Sequence, residues 1–161
     1  SAYALELKSP AFSNGDTLPK AQVFEGMGCN GGKTSPALSW SGAPKGTKSF
    51  ALTLYDPDAP TGSGWWHWVV VNIPPNVTKL AKGASNGHMP KGAVQARNDY
   101  GMSKFGGACP PPGKPHHYIF TIYALDTAKL PVKPSASGAM AGFNIHAHII
   151  DKATLTAMYG R

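Results

Sequence analysis

Three long runs of β-branched and aromatic residues constrain the fold of this chain most strongly. They occupy residues 50–55, 65–73 and 118–125, and Gly, Pro or Asp residues bound them. Such runs are typical of buried β-strands. None approaches the roughly 18 to 20 apolar residues that a membrane-spanning helix needs. The three runs therefore predict the central strands of a mainly β protein.

Weaker strand patterns lie at residues 4–8, 22–24, 38–40 and 154–159. One helix is predicted late in the chain, capped by Ser135 or Ser137 and ending near His148, because apolar residues recur there at helical spacing. These residues are Ala139, Met140, Phe143 and Ala147. The 161 residues predict one domain, 1–161, built as a β-sandwich with a central antiparallel sheet and one or two short helices in its C-terminal half.

Residues 83–117 show no periodicity and hold twelve Gly and Pro residues. A stretch this long without regular structure is usually functional or fixed in place, and Cys109 offers a fixing point. Cys109 and Cys29 lie 80 positions apart in Gly-rich segments. We expect them to form a disulfide that contributes at most about 4 to 5 kcal/mol, and two free thiols in a cytosolic protein are the alternative.

The even cysteine count and the Ser1-Ala2-Tyr3-Ala4 start suit an exported protein, periplasmic or secreted, whose signal peptide has been removed.

The chain is basic, with a formal net charge of +7, but its cations are scattered. Only two arginines occur, Arg97 and Arg161, and the lysines stand singly. Nucleic-acid-binding proteins usually cluster Lys and Arg and interleave them with aromatic residues, so we expect no nucleic-acid partner. A generally basic surface favours small anions or peripheral contact with a membrane.

Polar residues follow or interrupt the three strong runs. Asp56 and Asp58 end the first run, His67 lies in the second, and His116 precedes Tyr118 at the start of the third. On a regular strand His67 shares a face with Trp65 and Val69, opposite Trp66 and Trp68, while His117 faces away from His116. The side chains predicted to converge at one end of the sheet are Asp56, Asp58, His67, His116 and Tyr118.

Simpler interpretations stand beside this one. An isolated Asp-Pro-Asp is usually a turn, and the His146-Ala147-His148 spacing on a helix points the two rings apart, which favours packing at the helix end over metal binding. A phosphate loop at Gly28 is disfavoured because Met27 stands where its first glycine belongs. A Cys109 thiolate beside His116 would require a free cysteine. We therefore assign no catalytic residue, metal or cofactor, and keep a metal-dependent hydrolase using the Asp and His residues as the alternative.

Several motifs, in order along nearly the whole chain, resemble the phosphatidylethanolamine-binding protein (PEBP) family. Their form is similar to the bacterial Raf-kinase-inhibitor-like (YbhB/YbcL) branch. The motifs are Asp56-Pro57-Asp58-Ala59-Pro60, His67-Trp68-Val69-Val70, Gly106-Gly107-Ala108-Cys109-Pro110-Pro111 and His116-His117-Tyr118, together with residues 34–40 and 137–144.

The resemblance implies a non-enzymatic binding protein whose sandwich holds a small anion pocket for phosphate, acetate, cacodylate or a phosphoethanolamine head group. Asp56, Asp58, His67, His116 and Tyr118 would line this pocket. Pro57 and Pro60 would shape its rim, and the backbone N–H groups around Ala108 and Cys109 would replace a family glycine. The resemblance also implies inhibition or regulation of a protein partner, a kinase or a protease, and a homodimer.

Two carboxylates would repel an anion unless a positive charge intervenes. We expect protonated His67 and His116 to supply that charge and Tyr118 to donate its hydroxyl. Anion affinity should then weaken as the pH rises past the histidine pKa.

Overall fold

The structure, a computed structural model, describes residues 4–161 and contains ten strands and one α-helix in that range. A single turn of 3-10 helix occupies Lys20–Gln22. The strands are β1 (Glu6–Lys8), β2 (Glu25–Gly26), β3 (Cys29–Asn30), β4 (Leu38–Ser41), β5 (Ser49–Asp56), β6 (Trp65–Ile73), β7 (Lys79–Leu80), β8 (Val94–Gln95), β9 (His116–Leu125) and β10 (Ile149–Tyr159), and the helix is α1 (Gly138–His146).

A five-stranded antiparallel sheet in the order β10-β9-β5-β6-β8 forms the centre of the molecule. A smaller sheet, β1-β4-β7, packs on one face, and β2 pairs with β3 as a separate hairpin. The predicted mainly β architecture with a central antiparallel sheet is confirmed, and the three strong runs form β5, β6 and β9.

Both faces of the central sheet are covered, which explains why its middle strands β5, β6 and β9 are almost continuously buried. The main core lies between the two sheets and includes Trp40 of β4, Leu52 of β5 and Phe120 of β9. A second core lies on the other face, where Ala141 and Ile145 of α1 pack over Val69. The buried titratable residues Asp56 and His116 lie at strand ends, Asp56 at the end of β5 and His116 at the start of β9.

A β-bulge at His67 changes which residues of β6 face each core. Leu54 pairs with Trp68 and Tyr55 with Trp66, which leaves His67 as an extra residue opposite β5. An extra residue reverses the alternation of side chains beyond it. Trp68 therefore lies in the main core on the same side as His67, and Val69 lies in the second core. The predicted sharing of a face by His67 and Val69 was wrong, because regular alternation does not hold through the bulge.

One other prediction differs from the structure. Residues 22–24 do not form a regular strand, since Gln22 ends the 3-10 helix and Val23 makes only an isolated bridge to Ala108. The helix is capped by Ser137, whose hydroxyl accepts from the Met140 N–H at 3.0 Å, and it ends at His146.

Two of the apolar side chains on which the helix prediction was based do not pack against the core. Met140 and Phe143 are 55% and 77% exposed, whereas Ala141 and Ile145 face the second core. The two histidines at this end do make local contacts, as expected. His146 Nδ1 lies 2.8 Å from the Gly142 carbonyl and His148 Nδ1 lies 2.8 Å from Asp126 Oδ1.

Most of residues 83–117 is irregular, and the exceptions are β8 and the first two residues of β9. The segment is fixed to the rest of the fold by the Val23–Ala108 bridge and by a disulfide between Cys29 and Cys109. The predicted disulfide is confirmed. Within residues 4–161, no helix has the length and apolar character required to cross a bilayer.

Candidate functional site

A pocket of about 160 Å³ lies where β5 ends and where β6 and β9 begin. Six of the nine residues predicted for the site line it, namely Asp56, Pro60, His67, Cys109, His116 and Tyr118. Seven further residues complete the wall, namely Met27, Ala59, Thr61, Trp65, Tyr100, Pro110 and Pro111.

Asp56 and His116 form a buried pair at the base of the pocket. Asp56 Oδ2 lies 2.6 Å from His116 Nδ1, and the two residues are only 2% and 9% exposed. The other carboxylate oxygen, Oδ1, accepts the backbone N–H of Asp58 at 2.8 Å. A carboxylate can only accept, so the proton of this contact lies on His116 Nδ1. The Nε2 atom of His116 is then the ring atom available to a ligand.

Asp58, predicted to line the pocket, turns outward. Its Oδ2 accepts from both the backbone N–H and Nδ1 of His117, each at 2.7 Å, on the exposed side of β9. The backbone hydrogen bond from His117, followed by the side-chain hydrogen bond, lowers the pKa of the Asp58 carboxyl. Asp58 thus ties the Asp-Pro-Asp turn to the start of β9, and strand alternation places His116 inward and His117 outward as predicted.

His67 is buried, and its ring is oriented by two backbone carbonyl groups. Its Nδ1 lies 2.9 Å from the Gly106 oxygen and 3.1 Å from the Gly107 oxygen. Removal from solvent lowers the pKa of His67 to about 4, although these hydrogen bonds and the Asp56 charge oppose the shift. The expectation that a protonated His67 supplies positive charge to the pocket is therefore wrong above about pH 4, because burial favours the neutral ring.

Two glycines allow the carbonyl groups to reach His67. A Cβ on Gly106 would lie 2.6 Å from the Tyr100 ring, and one on Gly107 would lie 2.5 Å from backbone atoms of residues 22–24. Tyr100 also donates its hydroxyl to the Gly107 carbonyl at 2.8 Å. Its ring stacks on Phe24 with centroids 4.1 Å apart. The Gly106-Gly107 pair is thus required by close packing.

Two buried hydrogen-bond donors at the pocket lack an acceptor within the described residues. They are the hydroxyl of Tyr118 and Nε1 of Trp65. The hydroxyl interacts with the nearby Asp56 carboxylate, but the two groups do not meet the distance and angle limits of a full hydrogen bond. Burial and then the Asp56 charge raise the pKa of Tyr118, so its hydroxyl keeps its proton. An unsatisfied buried donor costs about 1 to 3 kcal/mol, which a ligand acceptor would recover.

The remaining wall is fixed by the disulfide and by Arg161. The Cys29–Cys109 bond joins the β2–β3 hairpin, which carries Met27, to the segment containing Pro110. Arg161 Nε donates to the Pro110 carbonyl at 2.7 Å. Because Cys109 is bonded, it supplies no thiolate for a dyad with His116.

Pro57 and Ala108 were predicted at the site but do not line the pocket. Pro57 is exposed in the turn. Ala108 is buried behind the wall, and its N–H donates to the Gln22 carbonyl at 3.2 Å, so it does not replace a ligand-binding glycine. Of the wall residues not predicted, Trp65 was detectable from its strand position. Tyr100 was not, because it lies in a loop without periodicity.

The lining contains no Lys or Arg among residues 4–161. In the same range, no group of three His, Cys, Asp or Glu side chains is arranged to hold a metal ion. The metal-dependent hydrolase therefore gains no support from the described part of the chain.

Comparison with known proteins places these features in a family. The family profile described as phosphatidylethanolamine-binding protein matches residues 8–160. The UPF0098 protein YbcL of Escherichia coli (strain K12) is 54% identical over 162 residues, covering 98% of this chain and 88% of that protein. The UPF0098 protein YbhB of the same organism is 51% identical over 157 residues, covering 96% of this chain and 99% of that protein.

Solved structures of proteins from the same family have a similar fold. The crystal structure of E. coli YbcL, described as a new member of the mammalian PEBP family, matches with a TM-score of 0.96 at 53% identity, covering 98% of both chains. The PEBP homolog CT736 of Chlamydia trachomatis matches with a TM-score of 0.84 at 35% identity, covering 99% of both chains. The chain belongs to the phosphatidylethanolamine-binding protein family, and E. coli YbcL and YbhB are close homologues.

Proposed function

We propose that this chain is a non-enzymatic binding protein that holds a small phosphate-type anion, such as phosphate or phosphoethanolamine, in the pocket. The observation that supports this most directly concerns two residues that line one pocket, Tyr118 and Trp65. The Tyr118 hydroxyl and Trp65 Nε1 are buried donors that have no acceptor among residues 4–161. An oxyanion offers several lone pairs and can satisfy both donors at once. His116 also lines this pocket, and its Nε2 is the ring atom not engaged by Asp56.

The size of the pocket favours a head group over a whole lipid. Its volume of about 160 Å³ is below the roughly 300 to 1,000 Å³ of pockets that enclose drug-sized ligands. Acyl chains would have to remain outside.

The charges in the pocket indicate recognition by hydrogen bonds rather than by net positive charge. The Asp56 carboxyl group is paired with His116, and burial keeps His67 neutral. The surplus of positive charge lies on the scattered surface lysines, which raise the local concentration of anions without contacting the ligand.

Calorimetry with phosphate and phosphoethanolamine tests this function. Tyr118→Phe and Trp65→Phe should each weaken binding about five- to tenfold, because each removes one donor to the anion. Tyr123→Phe is a matched control, because Tyr123 lies in the second core. An absence of heat with either ligand, or equal losses in Tyr118→Phe and Tyr123→Phe, would contradict the proposal.

The regulatory role suggested by the family resemblance is a further proposal, with a kinase or protease as target and an interface outside the pocket. The exposed apolar side chains of α1, Met140 and Phe143, support such an interface. Inhibition of the target that survives Tyr118→Phe but not Phe143→Ser would show that the interface lies on α1 and not in the pocket.

We also propose export to the periplasm or secretion, because the Cys29–Cys109 disulfide is of a kind that persists in oxidising compartments.

A further inference from the structure

We propose that the pocket selects oxyacids that still carry a proton, and therefore prefers phosphate monoesters to sulfates and to phosphodiesters such as an intact phospholipid head group. This inference rests on the proposed function, because it specifies which anion the same pocket accepts. It follows from the acceptor atoms that the pocket presents alongside its donors.

His67 presents one acceptor. Its Nδ1 contacts the Gly106 and Gly107 carbonyl oxygens, which have no proton to give, so the ring proton lies on Nδ1. In the neutral ring, Nε2 is then a lone pair. His67 lines the pocket, and within residues 4–161 its Nε2 makes no hydrogen bond. The lowered pKa of His67 agrees with this neutral form.

Asp56 presents a second acceptor. Each of its oxygens accepts one hydrogen bond, Oδ1 from the Asp58 N–H and Oδ2 from His116 Nδ1. A carboxylate oxygen has room for a second donor. Asp56 is 2% exposed and lines the pocket, so water screens it little from a bound ligand.

A ligand must therefore match a mixed set of groups. The titratable groups that line the pocket are Asp56, His67, Tyr100, His116 and Tyr118, with no Lys or Arg among the described lining residues. Tyr118 and Trp65 donate, whereas Asp56 and His67 accept. An oxyanion without a proton has only acceptor oxygens, so it would place their lone pairs next to the lone pairs of Asp56 and His67 Nε2. This repulsion weakens binding.

A phosphate monoester meets both requirements when it is singly protonated. Its second pKa is about 6, so near that pH roughly half of the molecules keep one P–OH. A sulfate ester of the same size has no such proton, and neither has a phosphodiester. The P–OH would donate to Asp56 or to His67 Nε2, and the other oxygens would accept from Tyr118 and Trp65.

Matched ligands make the test sharp. Phosphoethanolamine and 2-aminoethyl hydrogen sulfate share the ethylammonium group and differ in the proton on the acid. Calorimetry at pH 6 should show at least about tenfold tighter binding of phosphoethanolamine. Inorganic phosphate against sulfate repeats the comparison without the amine. Glycerophosphoethanolamine and vesicles containing phosphatidylethanolamine, both diesters, should bind as weakly as the sulfate.

Two variants assign the selectivity to the acceptors. His67→Asn keeps an amide N–H near the Gly106 and Gly107 carbonyl groups but removes Nε2, so the preference for phosphoethanolamine over its sulfate analogue should fall at least threefold. Asp56→Asn replaces an acceptor with a donor and should raise sulfate affinity relative to phosphate. A variant with altered packing alone would weaken both ligands together, and circular dichroism and thermal melting show which variants fold.

The outcomes separate the two proposals. Equal binding of phosphoethanolamine and its sulfate analogue, or tighter binding of the diester, would overturn the selectivity and leave the anion pocket standing. If neither phosphate nor sulfate binds, the proposed function itself fails. If both variants fold and keep the preference for phosphoethanolamine over its sulfate analogue, Asp56 and His67 do not accept a hydrogen bond from the ligand proton.

Discussion

Asp56 Oδ2 lies 2.6 Å from His116 Nδ1 in a place where water reaches neither side chain freely. Asp126 and His148 make a contact of almost the same length, 2.8 Å, on the exposed surface. The two pairs have the same chemistry and differ mainly in burial, so they form an internal comparison.

Asp56→Ala should destabilise the fold by about 3 kcal/mol, because it leaves the buried His116 Nδ1–H, and also the Asp58 N–H, without an acceptor. Asp126→Ala should cost less than about 1 kcal/mol, because water replaces the lost partner. Urea denaturation of both variants at pH 7 checks this difference. If the two variants lose similar amounts of unfolding free energy, burial does not determine how much the Asp56–His116 pair stabilises the fold.

The stability of the protein should depend on pH through His67. Its pKa is about 4 in the folded chain and 6.5 in the unfolded chain, so between these values the unfolded state binds more protons. His67 stabilisation is therefore complete above pH 6.5 and is lost as the pH falls towards 4, by up to about 3 kcal/mol. Denaturant melts between pH 4.5 and 7 should show this slope.

The variant His67→Asn isolates this contribution, because asparagine does not titrate in that range. Its stability should change less between pH 7 and 4.5 than that of the unaltered protein. The lowered pKa of Asp58 also removes stability in acid, but at a lower pH, below its ordinary value of 3.8. Parallel pH profiles for the two proteins would show that His67 is not the group responsible.

The strands and the disulfide were predictable because their signals are local or nearly so. A run such as 118–125 identifies β9 by its composition, and two cysteines allow only one intramolecular pairing. The charge state of His67 was not predictable, because it depends on burial and on carbonyl groups 39 and 40 positions away. Nor was the outward turn of Asp58, since a sequence does not show whether an Asp in a turn faces a pocket or the next strand.

The bulge at His67 shows most clearly where the alternation of side chains along a strand fails to predict which face a residue occupies. Period-two alternation predicted the correct face for Trp65 and the wrong one for Trp68 and Val69. The extra residue is imposed by pairing with β5, which the run 65–73 does not record. Long-range pairing therefore determines the site geometry that local periodicity leaves open.

Loss of the disulfide should affect both stability and binding. The Cys29→Ser/Cys109→Ser double variant should lose about 4 kcal/mol, since the bond closes a loop spanning 80 positions. Anion binding should weaken as well, because Met27 and Cys109 of the pocket wall are joined through this bond. Dithiothreitol should reproduce the effect in the unaltered protein and leave the double variant unchanged. An unaltered melting temperature after verified reduction would contradict this role.

Three glycine-to-alanine variants test whether close packing at Gly106-Gly107 orients His67. A Cβ at Gly107 would lie 2.5 Å from rigid backbone atoms, whereas the Tyr100 ring next to Gly106 has some freedom to move. Gly107→Ala should therefore cost about 3 kcal/mol or more and Gly106→Ala about 1 to 3 kcal/mol. Gly142→Ala in α1 meets nothing within 4 Å and should stabilise the protein by up to about 1 kcal/mol.

The same variants should separate binding from stability. Moving either carbonyl away from His67 Nδ1 frees the ring to rotate, so anion affinity should fall in Gly106→Ala and Gly107→Ala but not in Gly142→Ala. NMR of the histidine ring nitrogens reports the tautomer directly, with the proton on Nδ1 in the unaltered protein and a mixture in Gly106→Ala. If Gly106→Ala keeps both the Nδ1–H tautomer and full affinity, the glycine pair serves packing alone and does not orient the site.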